Sequence, residues 1–303
     1  MISTYHKINT RRLISIDDLD ESDIEVLYHT SIEFFEKLKN LNGIDQAPLQ
    51  GMTVANMFFE NSTRTRISFE VAEKKLGANI INFSPGNSSV KKGESLSDTV
   101  KNMVRMGADI IVVRDSQSGT ALFINQKTGL PTINAGDGTN EHPTQALLDL
   151  FTIYKAGIKK EEMNILLSGD LLHSRVAGSA VKLWRKLGIR FQLESPNTAT
   201  RFGSNKLNQK ENNKPNILYS LRIQKERQLK ELVPGFNEYF NFFGTKTQSN
   251  TECIVMHPGP INRNVELQSD LADSKQSLIL EQVEMGVAVR MSVLYHLAQK
   301  KGV

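Results

Sequence analysis

With 303 residues, 39% of them apolar and 23% charged, the chain has the composition of a folded globular protein long enough for two domains. Its net charge of +4, without a long Lys/Arg block, fits scattered surface lysines or a basic pocket for small anions better than a nucleic-acid surface. A single cysteine, Cys253, excludes an internal disulfide and a cysteine metal cluster, and it reads as a buried thiol at the start of an apolar run.

Residues 22–40 read as a helix, and Val54 to Phe59 as a strand. A helix over Ile67 to Leu76 is closed by Gly77, which can take the left-handed conformation that ends helices. Asn79 to Phe83 is a second short strand, followed by a loop over 84–93 and a helix from Ser95 to Met106. Asp109 to Arg114 is a β-branched strand of the buried kind, and Thr144 to Lys155 is a helix linking two halves of the chain. The pattern then restarts: a strand Asn164 to Leu167, the loop Ser168-Gly169-Asp170, and a helix from about Ser174 to Leu187. Strands follow at Phe191 to Glu194, Ile217 to Leu221 and Ile254 to His257. The last helix, about Leu278 to Lys300, has Val283, Val287, Met291 and Leu294 on one stripe. Asn197 to Pro215 and Gly244 to Glu252 are polar gaps, expected to be short or disordered connections. Alternating strands and helices predict an α/β chain of two doubly wound domains, each a mainly parallel sheet flanked by helices. No apolar stretch approaches the roughly 18 residues of a membrane span, and the polar residues after Met1 lack a signal-peptide core. A cytoplasmic location without a membrane partner is the expectation.

Polar clusters fall at the carboxyl ends of the predicted strands, where open α/β sheets bind ligands. Ser62-Thr63-Arg64-Thr65-Arg66 sets three hydroxyls and two guanidiniums between a strand and a helix. Unpaired N–H groups and a positive dipole end make that junction suited to phosphate, and Arg supplies a matching fork of donors. Arg114 ends its strand, where it could also be a surface cation. Glu141-His142-Pro143-Thr144-Gln145 opens a helix at Pro143. His173-Ser174-Arg175 could by itself be a capping turn, and Arg222 with Gln224 an ion-pair patch, their side chains aimed to one side. Together Arg64, Lys92, Arg114, Arg175 and Arg222 offer five cations to one cleft, with no acidic dyad, Ser–His–Asp order or metal-ligand spacing. Such a set works by holding and polarising anions, and no metal or cofactor is expected. A dinucleotide site is disfavoured, because no Gly-x-Gly-x-x-Gly follows a strand.

Phe58 to Arg66, Lys91-Lys92-Gly93-Glu94, His142 to Gln145, His173 to Ala177, Leu221 to Gln224 and Met256-His257-Pro258-Gly259-Pro260 resemble the catalytic chains of the aspartate carbamoyltransferase family. The resemblance runs from about residue 10 into the last helix. The segments around Lys92, Arg222 and His257 point to the aspartate branch; the ornithine branch would carry His-Cys-Leu-Pro at 257–260. The resemblance implies transfer of a carbamoyl group from carbamoyl phosphate to L-aspartate in pyrimidine biosynthesis. It implies a carbamoyl-phosphate domain over 1–143, with the helix from about 286 packing back on it, and an aspartate domain over 144–285, joined by interdomain helices. Ser62, Thr63, Arg64 and Thr65 would hold the phosphate. Arg114 and His142, with Thr65, would reach the carbamoyl oxygen, and Gln145 the carbamoyl amide. Arg175 and Arg222, helped by Gln224, would bind the aspartate carboxylates, and Gly259 and Pro260 would form a substrate loop. Ser88 and Lys92 would bind carbamoyl phosphate, Lys92 aspartate as well, from a loop that resembles one donated by a neighbouring subunit, implying a homotrimer with shared sites. A regulatory chain or a pathway enzyme is left open as a further partner. The family usually has Arg where this chain has Gly178, and often His where it has Asp115. Rival readings are a carbamoyltransferase with another acceptor and a catalytically silent scaffold that binds carbamoyl phosphate.

Overall fold

In a computed structural model of the chain, residues 7–39, 47–83, 95–196, 200–202, 214–224, 235–245 and 253–299 are described. The chain divides into two units, residues 1–148 with 284–303, and residues 149–283. The divisions fall inside two helices, Pro143–Lys155 and Ile279–Ala298.

The first unit holds a five-stranded parallel sheet in the order β1-β5-β4-β2-β3. Its strands are β1 (Arg12–Leu13), β2 (Thr53–Phe58), β3 (Asn79–Phe83), β4 (Ile110–Asp115) and β5 (Thr132–Asp137). Its helices are α1 (Glu21–Lys39), α2 (Thr63–Lys75), α3 (Leu96–Arg105), α4 (Thr120–Thr128), the start of α5 (Pro143–Lys155) and most of α9 (Ile279–Ala298). β2, β4 and β5 are buried over almost their whole lengths, as expected for parallel strands covered on both faces. Ala55, Met57, Ile111 and Val113 pack with Val100, Met103, Ala121 and Ile124 of α3 and α4 on one side. Alternation sends Val54, Asn56 and Phe58 to the other.

Three of these elements, the two-residue β1, α4 and β5, are absent from the sequence-based expectation. β5 reads Thr-Ile-Asn-Ala-Gly-Asp, with one large apolar residue, yet every residue of it is buried. Its polar members are satisfied inside the fold: Asn134 Nδ2–H donates to the Ile14 carbonyl (2.9 Å) and to Asp137 Oδ1 (3.0 Å). The stripe expected on the last helix also requires correction. Val283 is 59% exposed and Val287 half-buried, while Met285, Ala288, Val289, Met291, Val293 and Leu294 are buried. Nearly the whole circumference of α9 is covered beyond Met285, so no single stripe marks its packed face.

The second unit is built on a four-stranded parallel sheet in the order β7-β6-β8-β9. The strands are β6 (Asn164–Ser168), β7 (Arg190–Glu194), β8 (Ile217–Ser220) and β9 (Ile254–Met256). α6 (Arg175–Lys186), α7 (Phe236–Phe243) and the short α8 (Ser269–Ala272) complete it. Trp184 of α6 packs on Phe191 and Tyr219, with ring centroids 5.5 and 6.3 Å apart. The Tyr219 hydroxyl donates to Asp149, whose other oxygen accepts from Gln282 Nε2–H (2.6 Å). Cys253 is buried, and its thiol donates to the Pro215 carbonyl (2.9 Å). Most of the two polar gaps, 197–199, 203–213 and 246–252, lies outside the described residues. No helix among the described residues is long and apolar enough to cross a membrane.

Candidate active site

The start of α2 lies about one helical turn earlier than its apolar periodicity suggests. α2 begins at Thr63, not Ile67, so the hydroxyl and guanidinium cluster forms the N-cap and first turn of the helix itself. Ser62 is the N-cap residue, with extended backbone (φ −157°, ψ 92°), and its hydroxyl makes no capping bond. No acidic residue occupies the first turn to compete for the positive end of the dipole. Thr63 and Arg64 are exposed, and Ser62 and Thr65 half-buried. Backbone N–H groups, hydroxyls and a guanidinium therefore reach solvent from one helix start, the arrangement that binds phosphate.

Arg114 joins this turn to two strands. β4 is apolar until its carboxyl end, where register with β2 sets Arg114 beside Phe58. One Arg114 Nη1–H group donates to Thr65 Oγ1 and another to the Ala135 carbonyl of β5, both at 3.1 Å. Its Nε–H donates to Glu60 Oε1 at 2.7 Å, in an ion pair whose side chains are only 13% and 17% exposed. A pair this sheltered resists screening, and removal of either partner leaves a poorly solvated charge. Glu60 thus fixes the direction of the Arg114 fork.

His142 is buried and forms the N-cap of α5: its carbonyl accepts from the amides of Gln145 (3.0 Å) and Ala146 (3.3 Å). Thr144 Oγ1 lies 3.5 Å from His142 Nδ1, at the outer edge of hydrogen bonding. Gln145 is half-buried on the first turn of the same helix. The preceding loop begins at Gly138 (φ +51°), where a Cβ would come within 3.0 Å of the Ser116 carbonyl oxygen. Only glycine lets the loops after β4 and β5 approach so closely.

In the second unit the corresponding edge is organised by Asp170, fully buried just beyond β6. Its Oδ1 accepts the His173 amide N–H (3.1 Å) and faces His173 Nδ1 at 2.9 Å. Its Oδ2 accepts the Gln224 amide N–H (3.3 Å). One carboxylate so ties the turn leading into Arg175 to the segment carrying Arg222 and Gln224. Arg175 is 5% exposed at the first turn of α6, and Arg222 and Gln224 are half-buried. Ser174 caps that helix, its hydroxyl accepting the Ala177 amide N–H at 3.2 Å. Gly169 (φ +125°) has no room for a Cβ, which would overlap the Leu221 carbonyl oxygen.

Gly259 and Pro260 follow β9 in a loop held by His257 and Glu266. The Gly259 N–H donates to His257 Nδ1 (2.8 Å), which leaves the hydrogen on Nε2 to be donated to Glu266 Oε1 (3.2 Å). The Asn262 N–H donates to the same oxygen, and the His257 N–H donates to Gln282 Oε1 (3.0 Å). His257 is 1% exposed and serves as a bracket for this loop. Ser88 and Lys92 lie outside the described residues.

The first unit accordingly brings Thr65, Arg114 and Glu60 into direct contact, with His142 at the neighbouring strand end. In the second, Asp170 bonds the turn before Arg175 and the backbone of Gln224, two residues beyond Arg222. Sequence reasoning overlooked the parts of Glu60 and Asp170, because an acid at a strand end reads as a solvated side chain until its partners are known. A signal was available: each is an acid at the carboxyl end of a largely apolar strand.

Known proteins place the chain in a family. Residues 11–155 match the carbamoyl-P binding domain of the aspartate/ornithine carbamoyltransferases, and residues 161–297 match their Asp/Orn binding domain. The chain belongs to the aspartate/ornithine carbamoyltransferase family. It is 49% identical to an aspartate carbamoyltransferase catalytic subunit from Campylobacter hominis, covering 93% of this chain and 95% of that protein. Identity to the Bartonella quintana catalytic subunit is 43%, over 94% of this chain and 92% of the relative. Among solved structures, aspartate transcarbamoylase from Trypanosoma cruzi in complex with N-(phosphonacetyl)-L-aspartic acid is similar at TM-score 0.81 and 27% identity, covering 94% and 95% of the two chains. The M. jannaschii catalytic subunit is similar at TM-score 0.80 and 32% identity, covering 95% and 98%.

Proposed function

We propose that the protein transfers the carbamoyl group of carbamoyl phosphate to the amino group of L-aspartate, giving N-carbamoyl-L-aspartate and phosphate for pyrimidine biosynthesis. Beside family membership, one observation carries this reading. The Arg114 guanidinium is hydrogen-bonded to Thr65 in the first turn of α2, so a phosphate-suited helix start and a strand-end cation share one locus.

The first unit binds carbamoyl phosphate. Ser62, Thr63, Arg64 and Thr65 hold its phosphate, Gln145 its amide, and Arg114, His142 and Thr65 its carbonyl oxygen. When the aspartate amine attacks, a C–N bond forms and negative charge builds on that oxygen, where prearranged donors stabilise it. The C–O bond to phosphate then breaks, and the leaving phosphate accepts the amine's proton. No protein base is required. Arg175 and Arg222, with Gln224, bind the two carboxylates of aspartate, and Gly259 and Pro260 line the substrate loop. Two arginines suit a dicarboxylate and disfavour the cationic side chain of ornithine. The loop bearing Ser88 and Lys92 comes from a neighbouring copy, in a cytoplasmic homotrimer.

Phosphate release from carbamoyl phosphate, measured with L-aspartate and separately with L-ornithine, tests this reading. Release with aspartate alone is expected. Silence with both, in folded protein that binds carbamoyl phosphate, would replace the reading with a scaffold.

A further inference from the structure

The residue before His142 carries a buried carboxylate that the transfer reaction does not use. Glu141 is 1% exposed. The Ser15 hydroxyl donates to its Oε1 (2.6 Å) and the Ile16 N–H to its Oε2 (3.0 Å). Both donors come from the segment between β1 and α1, more than a hundred residues earlier. The Glu141 backbone is held as well: its N–H donates to Asp137 Oδ1 (2.9 Å), and its carbonyl accepts the Asp137 N–H (3.1 Å). Asp137 is in turn gripped by the side-chain amides of Asn134 (3.0 Å) and Asn140 (3.2 Å) and by the Gly119 N–H (3.1 Å). Asn134 also reaches back to the Ile14 carbonyl, so the segment 14–16 is fastened to this turn from two directions.

Burying a carboxylate is expensive unless its oxygens are occupied, and here each oxygen accepts a donor fixed by local structure. Ser15 is itself the N-cap of the 3₁₀ turn Ile16–Asp18. The next residue in the chain, His142, has its carbonyl committed to the first bonds of α5. Its backbone is therefore defined on one side by the helix and on the other by Glu141.

We propose that Glu141 is a positioning residue for carbamoyl transfer, setting the backbone at His142 and hence the aim of its imidazole. This rests on the role given above to His142 at the carbamoyl oxygen. A displacement of about 1 Å at such a donor can cost on the order of a hundredfold in rate. Loss of Glu141 therefore acts on kcat and spares the phosphate contacts that govern carbamoyl phosphate binding.

A double-mutant cycle on the purified full-length enzyme tests this, using Glu141→Ala, His142→Ala and the pair, with kcat and the carbamoyl phosphate KM measured at saturating aspartate. Glu141→Ala should lower kcat roughly 30- to 100-fold with KM within about threefold, and should add less than about threefold in the His142→Ala background. Glu141→Gln, which keeps one acceptor, should recover most of the rate. If Glu141→Ala does not fold, Ser15→Ala takes its place, with a smaller kcat loss that again vanishes without His142. Equal losses in both backgrounds, or a folded Glu141→Ala enzyme with unchanged kcat, would overturn the proposal while leaving the role of His142 intact. A His142→Ala enzyme with wild-type kcat would overturn both.

Discussion

On the proposed function, the carboxyl edges of the two sheets meet the same problem, presenting cations to an anion, and they are built differently. In the first unit the helix start at Ser62–Thr65 reaches solvent, and two acids stand behind it: half-buried Glu60 bonded to Arg114, and buried Glu141 bonded to Ser15 and next in sequence to His142. In the second unit a single buried acid, Asp170, ties both arginine-bearing segments, and Arg175 is itself nearly inaccessible. A phosphate can be met by many backbone and hydroxyl donors around one or two guanidiniums. Two carboxylates of one small substrate, as the proposed function requires, call for two guanidiniums, and Asp170 bonds the turn before one arginine and the segment carrying the other.

The largest expected effect separates these two designs. Arg64→Ala should lower kcat by about a thousandfold with a much smaller change in aspartate KM, because its contact matters most as charge passes to the departing phosphate. Steady-state kinetics giving a near-normal kcat would break the comparison. Arg222→Ala should raise the aspartate KM by about a hundredfold while the carbamoyl phosphate KM stays nearly constant. If both constants rise together, the two edges are not independent sites.

Smaller effects concern stability, and the two groups considered for them, Glu73 and His296, lie in the first unit. Burial pushes the Glu73 carboxyl from 4.5 up to about 8, although Asn56 Nδ2–H donates to it at 2.8 Å. The folded protein therefore keeps this proton at neutral pH, while the unfolded chain loses it above about 4.5. Stability from Glu73 is full below that pH and falls as pH rises toward 8. Glu73→Gln should flatten this slope and raise Tm at pH 8 by about 8 °C over the parent. An unchanged slope would show that Glu73 is not held neutral.

His296, whose Nε2 lies 2.9 Å from Thr30 Oγ1, titrates with the opposite sign. Burial lowers it from 6.5 to about 4, so the unfolded chain takes up a proton first and stability falls as pH drops through that range. His296→Gln should shrink the loss of Tm between pH 6.5 and pH 5 by about 4 °C. Amide exchange at the two pH values should place both responses in the first unit; equal responses in the second would erase the contrast.

Legibility in the sequence followed burial chemistry. β4, with Ile110-Ile111-Val112-Val113, announces a covered parallel strand, whereas β5 is just as buried and shows almost no apolar pattern. Its Asn134 and Asp137 are tolerated in the interior because partners from the Ile14 segment and the loop at Gly119 satisfy them. α7 fell between two polar gaps and was overlooked, although Tyr239 is buried along it. The N-terminus of α2 was misplaced because Thr63 to Arg66 carry no apolar periodicity; a helix start rich in hydroxyls and guanidiniums looks like a turn.

By itself, then, the sequence determined the alternation of strands and helices, the parallel α/β class, and the residue types at the strand ends that define an anion-handling site. Those are local matters, written in side-chain period and in the chemistry of neighbouring residues. The tertiary structure decided which donors meet which acids: Arg114 on Glu60, His173 and Gln224 on Asp170, Ser15 on Glu141. These pairings join residues up to 126 positions apart. They exist only because parallel strands bring their carboxyl ends to one edge, where a buried charge must find its partner or not be there at all.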